Sequence, residues 1–345
     1  MNIKLSKTNV LITGMLSAVM GAFTACEKSE FTYNSTPAAA KPSVVFIGLT
    51  NSANSTTSPS TLIRYNSSNA NLLTAAPLQV TGLTGTESLV AIDYRPATKV
   101  LYGISGAGRI YSIAVTATTA IATPIGLIGS SYSGAIAAFD FNPVADRLRI
   151  VTANGTNLRV DVSVTPMTVT VDGAINGAAG AVITGAAYTN SVAGATTTVL
   201  YGLDVAAQKL YTQNANAGTL TEVGGLGGLA LPVTNATYTA AYNTVITNAR
   251  NAAPGGFDIS AAGVGLAVFN NNAAPAIVAG SITPANTATG VIAVPSANVA
   301  AQAGVPTLFQ VDLATGKLTD LGVLPIVAAP NVGVGTQIIG LAIVP

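Results

Sequence analysis

The segment ESLVAIDYRPATKVLYGIS at residues 87–105 returns as GAIAAFDFNPVADRLRIVT at 134–152, with Asp93 answering Asp140 and Pro96 answering Pro143. A two-strand phrase that recurs at this distance is the mark of a repeat architecture, in which one supersecondary unit is tiled and its apolar faces are buried only by its neighbours. The phrase alternates apolar and polar positions with period two and breaks at Pro. Both halves are therefore strands joined by a tight turn.

Each unit contributes two further strands. The first set is LIRYNSS (62–68), RIYSIAV (109–115), NLRVDV (157–162), KLYTQN (209–214) and TLFQVDL (307–313). Each is followed by a Thr- or Gly-punctuated strand, namely APLQVTGL, ATPIGLIG, TVTVDGAI, GTLTEVGGLG and GKLTDLGVL. The two-strand phrase itself reads as LVAIDYRP with KVLYGIS, IAAFDFNP with RLRIVT, TGAAYTNS with TVLYGLD, and GGFDIS with GLAVFN. The last unit holds only IIGLAIVP, ending at Pro345, and VVFIGLTN (44–51) at the other end reads like the strand it lacks.

The predicted fold class is therefore all-β: a β-propeller of five blades of four antiparallel strands, the last blade closed by the N-terminal strand. Only 8% of the residues are charged, and Trp and His are absent, which suits short strands and tight turns better than surface helices. Leu101, Leu148 and Leu200 mark successive units at spacings of 47 and 52 residues, close to the roughly 40–50 residues of blade repeats. Residues 231–253 and 271–306 read as insertions between strands, with a sixth, degenerate blade as the alternative. Residues 44–345 form one domain on this reading, because blades share faces.

The N-terminus carries an address. Lys4 and Lys7 precede an uncharged apolar run from Val10 to Ala22, too short to span a bilayer, and the segment ends in FTAC at Cys26, the only cysteine. This resembles a bacterial lipoprotein signal, with Phe23 where Leu is usual. The resemblance implies a signal peptide at 1–25, lipidation of Cys26 and a flexible polar tether at 26–43. The expected location is the cell envelope, membrane-anchored and facing the periplasm or the surface. With one cysteine no intrachain disulfide is possible, so the fold must stand on burial.

The stretches FDFNPVADRLRIVTANGTNLRV, VDGA, AAYTNS, TVLYGLD, KLYTQNANAGTL, GGFDIS and LFQVDLATGKLTDLG together are similar to the bacterial domain of unknown function 4394 family over most of residues 60–345. The resemblance implies a propeller-like extracytoplasmic domain without an assigned activity.

Chemistry is bounded mainly by what is missing. Without His there is no Ser-His-Asp triad or His-based zinc site, and with Cys26 in the signal no thiolate remains. GGLGG (224–228) lacks the strand-to-helix setting of a phosphate loop and reads as turn chemistry. After the signal is removed 12 basic side chains face 13 acidic ones, and Arg147, Arg149 and Arg159 are the only loose basic concentration, so no nucleic-acid partner is expected. A carboxylate-dependent carbohydrate-active enzyme is the surviving enzymatic alternative, with Asp93, Asp140, Asp204 and Asp258 as candidates and Tyr102, Tyr111, Tyr201 and Tyr211 as sugar-stacking surfaces. Recurrence of Asp93, Asp140 and Asp258 in register favours a scaffold role, each bonding a turn amide beside Pro96 or Pro143 in its own blade rather than sharing one cleft. No cofactor is expected; calcium is the one candidate ion, although no EF-hand or GGxGxD loop is present. The favoured reading is a non-enzymatic, monomeric lipoprotein that meets the membrane through its lipid and binds a protein, glycan or small molecule through its propeller.

Overall fold

The computed structural model describes residues 40–51, 60–131, 133–227, 253–271, 305–326 and 337–345. Cys26, the signal, most of the tether and nearly all of the two insertions lie outside the described residues, as does the sixth-blade alternative. Among the described residues no helix is long and apolar enough to cross a membrane.

The described strands fall into five four-stranded antiparallel sets around one axis. The chain begins with β1 (Val45–Asn51), β2 (Thr61–Asn66) and β3 (Leu78–Thr81), then completes a set with β4 (Leu89–Arg95), β5 (Val100–Ser105), β6 (Arg109–Val115) and β7 (Ala120–Leu127). The next set is β8 (Ile136–Asn142), β9 (Arg147–Thr152), β10 (Asn157–Asp161) and β11 (Thr168–Val171). Then come β12 (Gly185–Tyr188), β13 (Leu200–Asp204), β14 (Lys209–Gln213) and β15 (Leu220–Gly225). The last full set is β16 (Ala253–Ile259), β17 (Gly265–Asn271), β18 (Val305–Val311) and β19 (Leu318–Val323), after which β20 (Gln337–Ile343) returns to the start and pairs with β1. The strands β4, β8, β12, β16 and β20 neighbour one another in a closed cycle and form the inner wall. This is the arrangement of a β-propeller.

The closing set is β20-β1-β2-β3, with one strand from the C-terminus and three from the N-terminus. VVFIGLTN thus pairs with IIGLAIVP as expected. The blade, however, is phased two strands later than the sequence units: the LVAIDYRP-type strand leads its blade from the axis, and the LIRYNSS-type strand is third. A repeat has no origin of its own. Only the sheet pairing reveals where one blade stops, and β3 bonds β7 of the next blade, not β4.

Two local features build each blade. Pro96 and Pro143 sit second in turns that reverse the chain between first and second strands, and Thr98 and Lys99 N–H both return to the Arg95 carbonyl. Gly48, Gly103 and Gly202, all in second strands, leave room for Ile338 of β20, Leu89 of β4 and Ile183 just before β12, to within 3.0, 3.1 and 2.9 Å of where a Cβ would stand. Buried apolar side chains gather into five clusters, one at each junction between adjacent blades, such as Tyr102, Ile104, Phe139 and Leu148 between the β4 and β8 blades. Each blade therefore depends on its neighbours for its core.

Candidate functional site

Inner strands run side by side around one axis, so a repeat position on them meets its own copies. The position of Asp93 is filled by Asp140 in β8, Ala187 in β12, Asp258 in β16 and Ala342 in β20. One carboxylate oxygen of each of Asp93, Asp140 and Asp258 lies within 4.8 Å of the other two, and these residues are only 5%, 4% and 4% exposed. In-register recurrence had suggested three separate turn contacts. The structure instead brings the three together, because equivalence on an inner strand means convergence at the axis.

Their hydrogen bonds run from blade to blade. Phe141 N–H donates to Asp93 at 2.7 Å, Tyr188 N–H to Asp140 at 2.9 Å and Ile343 N–H to Asp258 at 2.6 Å. Each donor directly follows the equivalent position in the next blade. Where the preceding blade carries Ala, the carboxylate takes the amide of its own successor: Tyr94 donates to Asp93 at 2.7 Å and Ile259 to Asp258 at 2.6 Å. The donors are thus strand amides, not turn amides.

Burial pushes all three carboxyls up from their ordinary range, Asp258 to about 7, and repulsion between the neighbouring carboxylates raises Asp93 and Asp140 further. A calcium ion takes six to eight oxygens. Here the carboxylates already accept from five amide donors.

Asp204 stands apart, accepting from Val182 and Ala207 N–H at 2.8 Å each. Tyr102, Tyr111 and Tyr211 are buried within the blades and Tyr201 packs against the same kind of core, which removes them as sugar platforms. The three arginines are all engaged: Arg147 pairs with Asp161 at 2.9 Å, while Arg149 and Arg159 meet Asp172 at 2.6 and 3.3 Å. Gly224 and Gly225 of GGLGG end β15, where a Cβ on Gly224 would lie 2.3 Å from the Thr315 carbonyl oxygen.

An axial cavity of about 210 Å³ lies one level before the carboxylates along the inner strands. Its wall includes Ala91, Ala138, Gly185, Gly256 and Gly340, each two residues before an axial Asp or Ala. That small residue in every unit is the signal that reading the sequence missed. Ala153, Ile183 and Thr184 add to the wall at the end where first strands begin, and among the described residues no ionisable side chain lines it. The strands flanking both insertions, β15 to β16 and β17 to β18, break off or resume at this same end.

The chain matches the family model for a domain of unknown function, number 4394, over residues 61–342, and belongs to that family. No curated protein matches it. A Bacteroides thetaiotaomicron structural-genomics protein of unknown function is similar at 13% identity and TM-score 0.42, with 82% of this chain and 58% of that chain covered. The nidogen/laminin complex gives 11% identity and TM-score 0.41 over 88% of this chain and 99% of that one. An auxiliary nutrient-binding protein from Bacteroides thetaiotaomicron gives 15% identity and TM-score 0.35 over 60% and 53%. The chain therefore spans little more than half the length of the first and third of these.

Proposed function

We propose that the chain is a non-enzymatic binding module of the bacterial cell envelope, held at a membrane through lipid on Cys26, with the axial cavity at the centre of its ligand-binding face. The observation that carries this reading is the division of labour along the axis. The three axial carboxylates are buried acceptors for strand amides, while the cavity beside them is walled by Ala, Gly, Ile, Leu, Phe, Val and Thr. A glycosidase needs two carboxyl groups facing substrate across about 5–10 Å. At about 210 Å³ the cavity is below the usual range for whole small-molecule sites and suits one apolar group of a larger protein or glycan ligand.

The test uses the full-length protein and its Ala91→Leu variant, which fills the cavity wall, in a glycan array and a pull-down. Capture by the wild type and loss in a variant that melts normally is the expected result. A glycoside, ester or peptide turnover abolished by Asp140→Asn in a normally melting protein would establish the enzyme instead. Incorporation of a fatty-acid probe that disappears in Cys26→Ser tests the anchor.

A further inference from the structure

Three buried carboxyl groups whose oxygens approach within 4.8 Å cannot all be charged without a counter-charge, since Coulomb repulsion at that range in a poorly screened interior outweighs what amide donors return. Among the described residues no ion pair reaches the trio. The basic group closest in register, Arg149 opposite Asp140, is committed to Asp172 at 2.6 Å, Asn157 at 2.9 Å and the Tyr188 hydroxyl at 3.3 Å. Arg95, two residues after Asp93, is bonded to Asp146. The other titratable groups on the inner strands are Tyr94 on β4 and Tyr188 on β12, both held neutral by burial, while β20 places Ala342 at this level.

We propose that Asp93, Asp140 and Asp258 form a proton-sharing lock at the axis, closed while the trio retains protons and loosened as it ionises. The same three residues join the β4, β8, β12, β16 and β20 strands through the amides of Phe141, Tyr188 and Ile343. Ionisation therefore acts at three of the five blade junctions at once. A proton lost from one carboxyl leaves its charge facing two acidic neighbours, so the groups titrate as a set.

The sign follows from linkage. The unfolded aspartates release their protons near pH 4, whereas in the folded protein Asp258 is pushed to about 7 and Asp93 and Asp140 are held well above their ordinary range. The contribution to stability is complete below about pH 4 and is lost as pH rises toward about pH 7 and beyond. Each retained proton lowers the folding constant about tenfold per pH unit across that window.

The experiment is urea unfolding of the full-length protein and of Asp258→Asn and Asp140→Asn from about pH 4.5 to about pH 8.5, with either EDTA or about 1 mM calcium. The expected result is a wild-type folding constant that falls by at least about tenfold per pH unit through the window, a flatter profile in each Asn variant, and no calcium effect. Infrared spectra of the wild type supply a second readout that needs no variant to fold: a protonated-carboxyl band at neutral pH that disappears on alkalinisation. A flat wild-type profile without that band would overturn the lock. So would calcium-dependent stabilisation of the wild type that EDTA reverses and the variants lack, since it would make the trio a cation site.

Discussion

Among the described residues the five blade junctions differ at the axis. Three carry an aspartate at the axis that accepts an amide of the next blade, from Asp93 to Phe141, Asp140 to Tyr188 and Asp258 to Ile343. The other two carry Ala342 and Ala187 and are tied at the rim, as the Asp140 junction also is through Asn176 and Thr219. The Ala342 junction pairs β3 with β7 in parallel through Val80 and Ala120, and at the Ala187 junction Leu318 N–H reaches the Leu226 carbonyl at 2.9 Å. Apolar packing exists at all five, so packing does not distinguish them. A directional bond at some radius accompanies it in every case, and an inner alanine is accommodated where outer strands provide that bond.

Deleting residues 45–51 should have the largest effect, because β1 lies between β20 and β2 and its loss strands the inner strand that receives Asp258. Several of the roughly 5–15 kcal/mol of a typical fold should disappear, read as a shifted or non-cooperative urea transition. Unchanged unfolding would mean that the ring does not need its closing strand. Next, Asp93→Ala strands the buried amide of Phe141 and the partly buried one of Tyr94, and should destabilise by about 3 kcal/mol, against about 2 kcal/mol for Asp140→Ala, which strands only that of Tyr188. Equal losses would show that the amide count does not set the strength of a junction. At the rim, Gly82→Ala places a Cβ 2.3 Å from the Ala122 carbonyl oxygen on a backbone with φ of 81°, and a loss of about 1–2 kcal/mol is expected from thermal melting. A negligible loss there would demote the rim bond. Smallest is Lys209→Ala, which removes an exposed ion pair to Glu222 away from either kind of tie and should leave the melting temperature unchanged.

The strands were legible because their alternation and punctuation repeat: LVAIDYRP became β4, RIYSIAV β6 and IIGLAIVP β20. The phase of the blade was not, since a tandem pattern looks the same from any starting strand. Asp93, Asp140 and Asp258 are recognisably equivalent in the sequence, but equivalence alone does not say that they meet. Their meeting depends on which of four strands is innermost, a fact carried by sheet order and not by period. The cavity could have been found from Ala91, Ala138, Gly185, Gly256 and Gly340, because a small residue recurring at one position of every inner strand leaves space that no other element fills.

Both ends of the described globule emerge at the end of the inner wall away from the cavity, where Val344 N–H bonds the Val45 carbonyl at 2.9 Å. In mechanical terms, any pull arriving along residues 40–44 meets two fastenings before the sheet, Lys41 to the Leu321 carbonyl at 2.7 Å and the Ser67 hydroxyl to the Pro42 carbonyl at 2.5 Å. Behind them is β1, gripped on both sides by β2 and β20. Hydrogen bonds that run across a strand share a load applied along it. The strand that completes the circle is thus also the one that would bear tension from a tether, and strain applied there would reach the closing blade before any other.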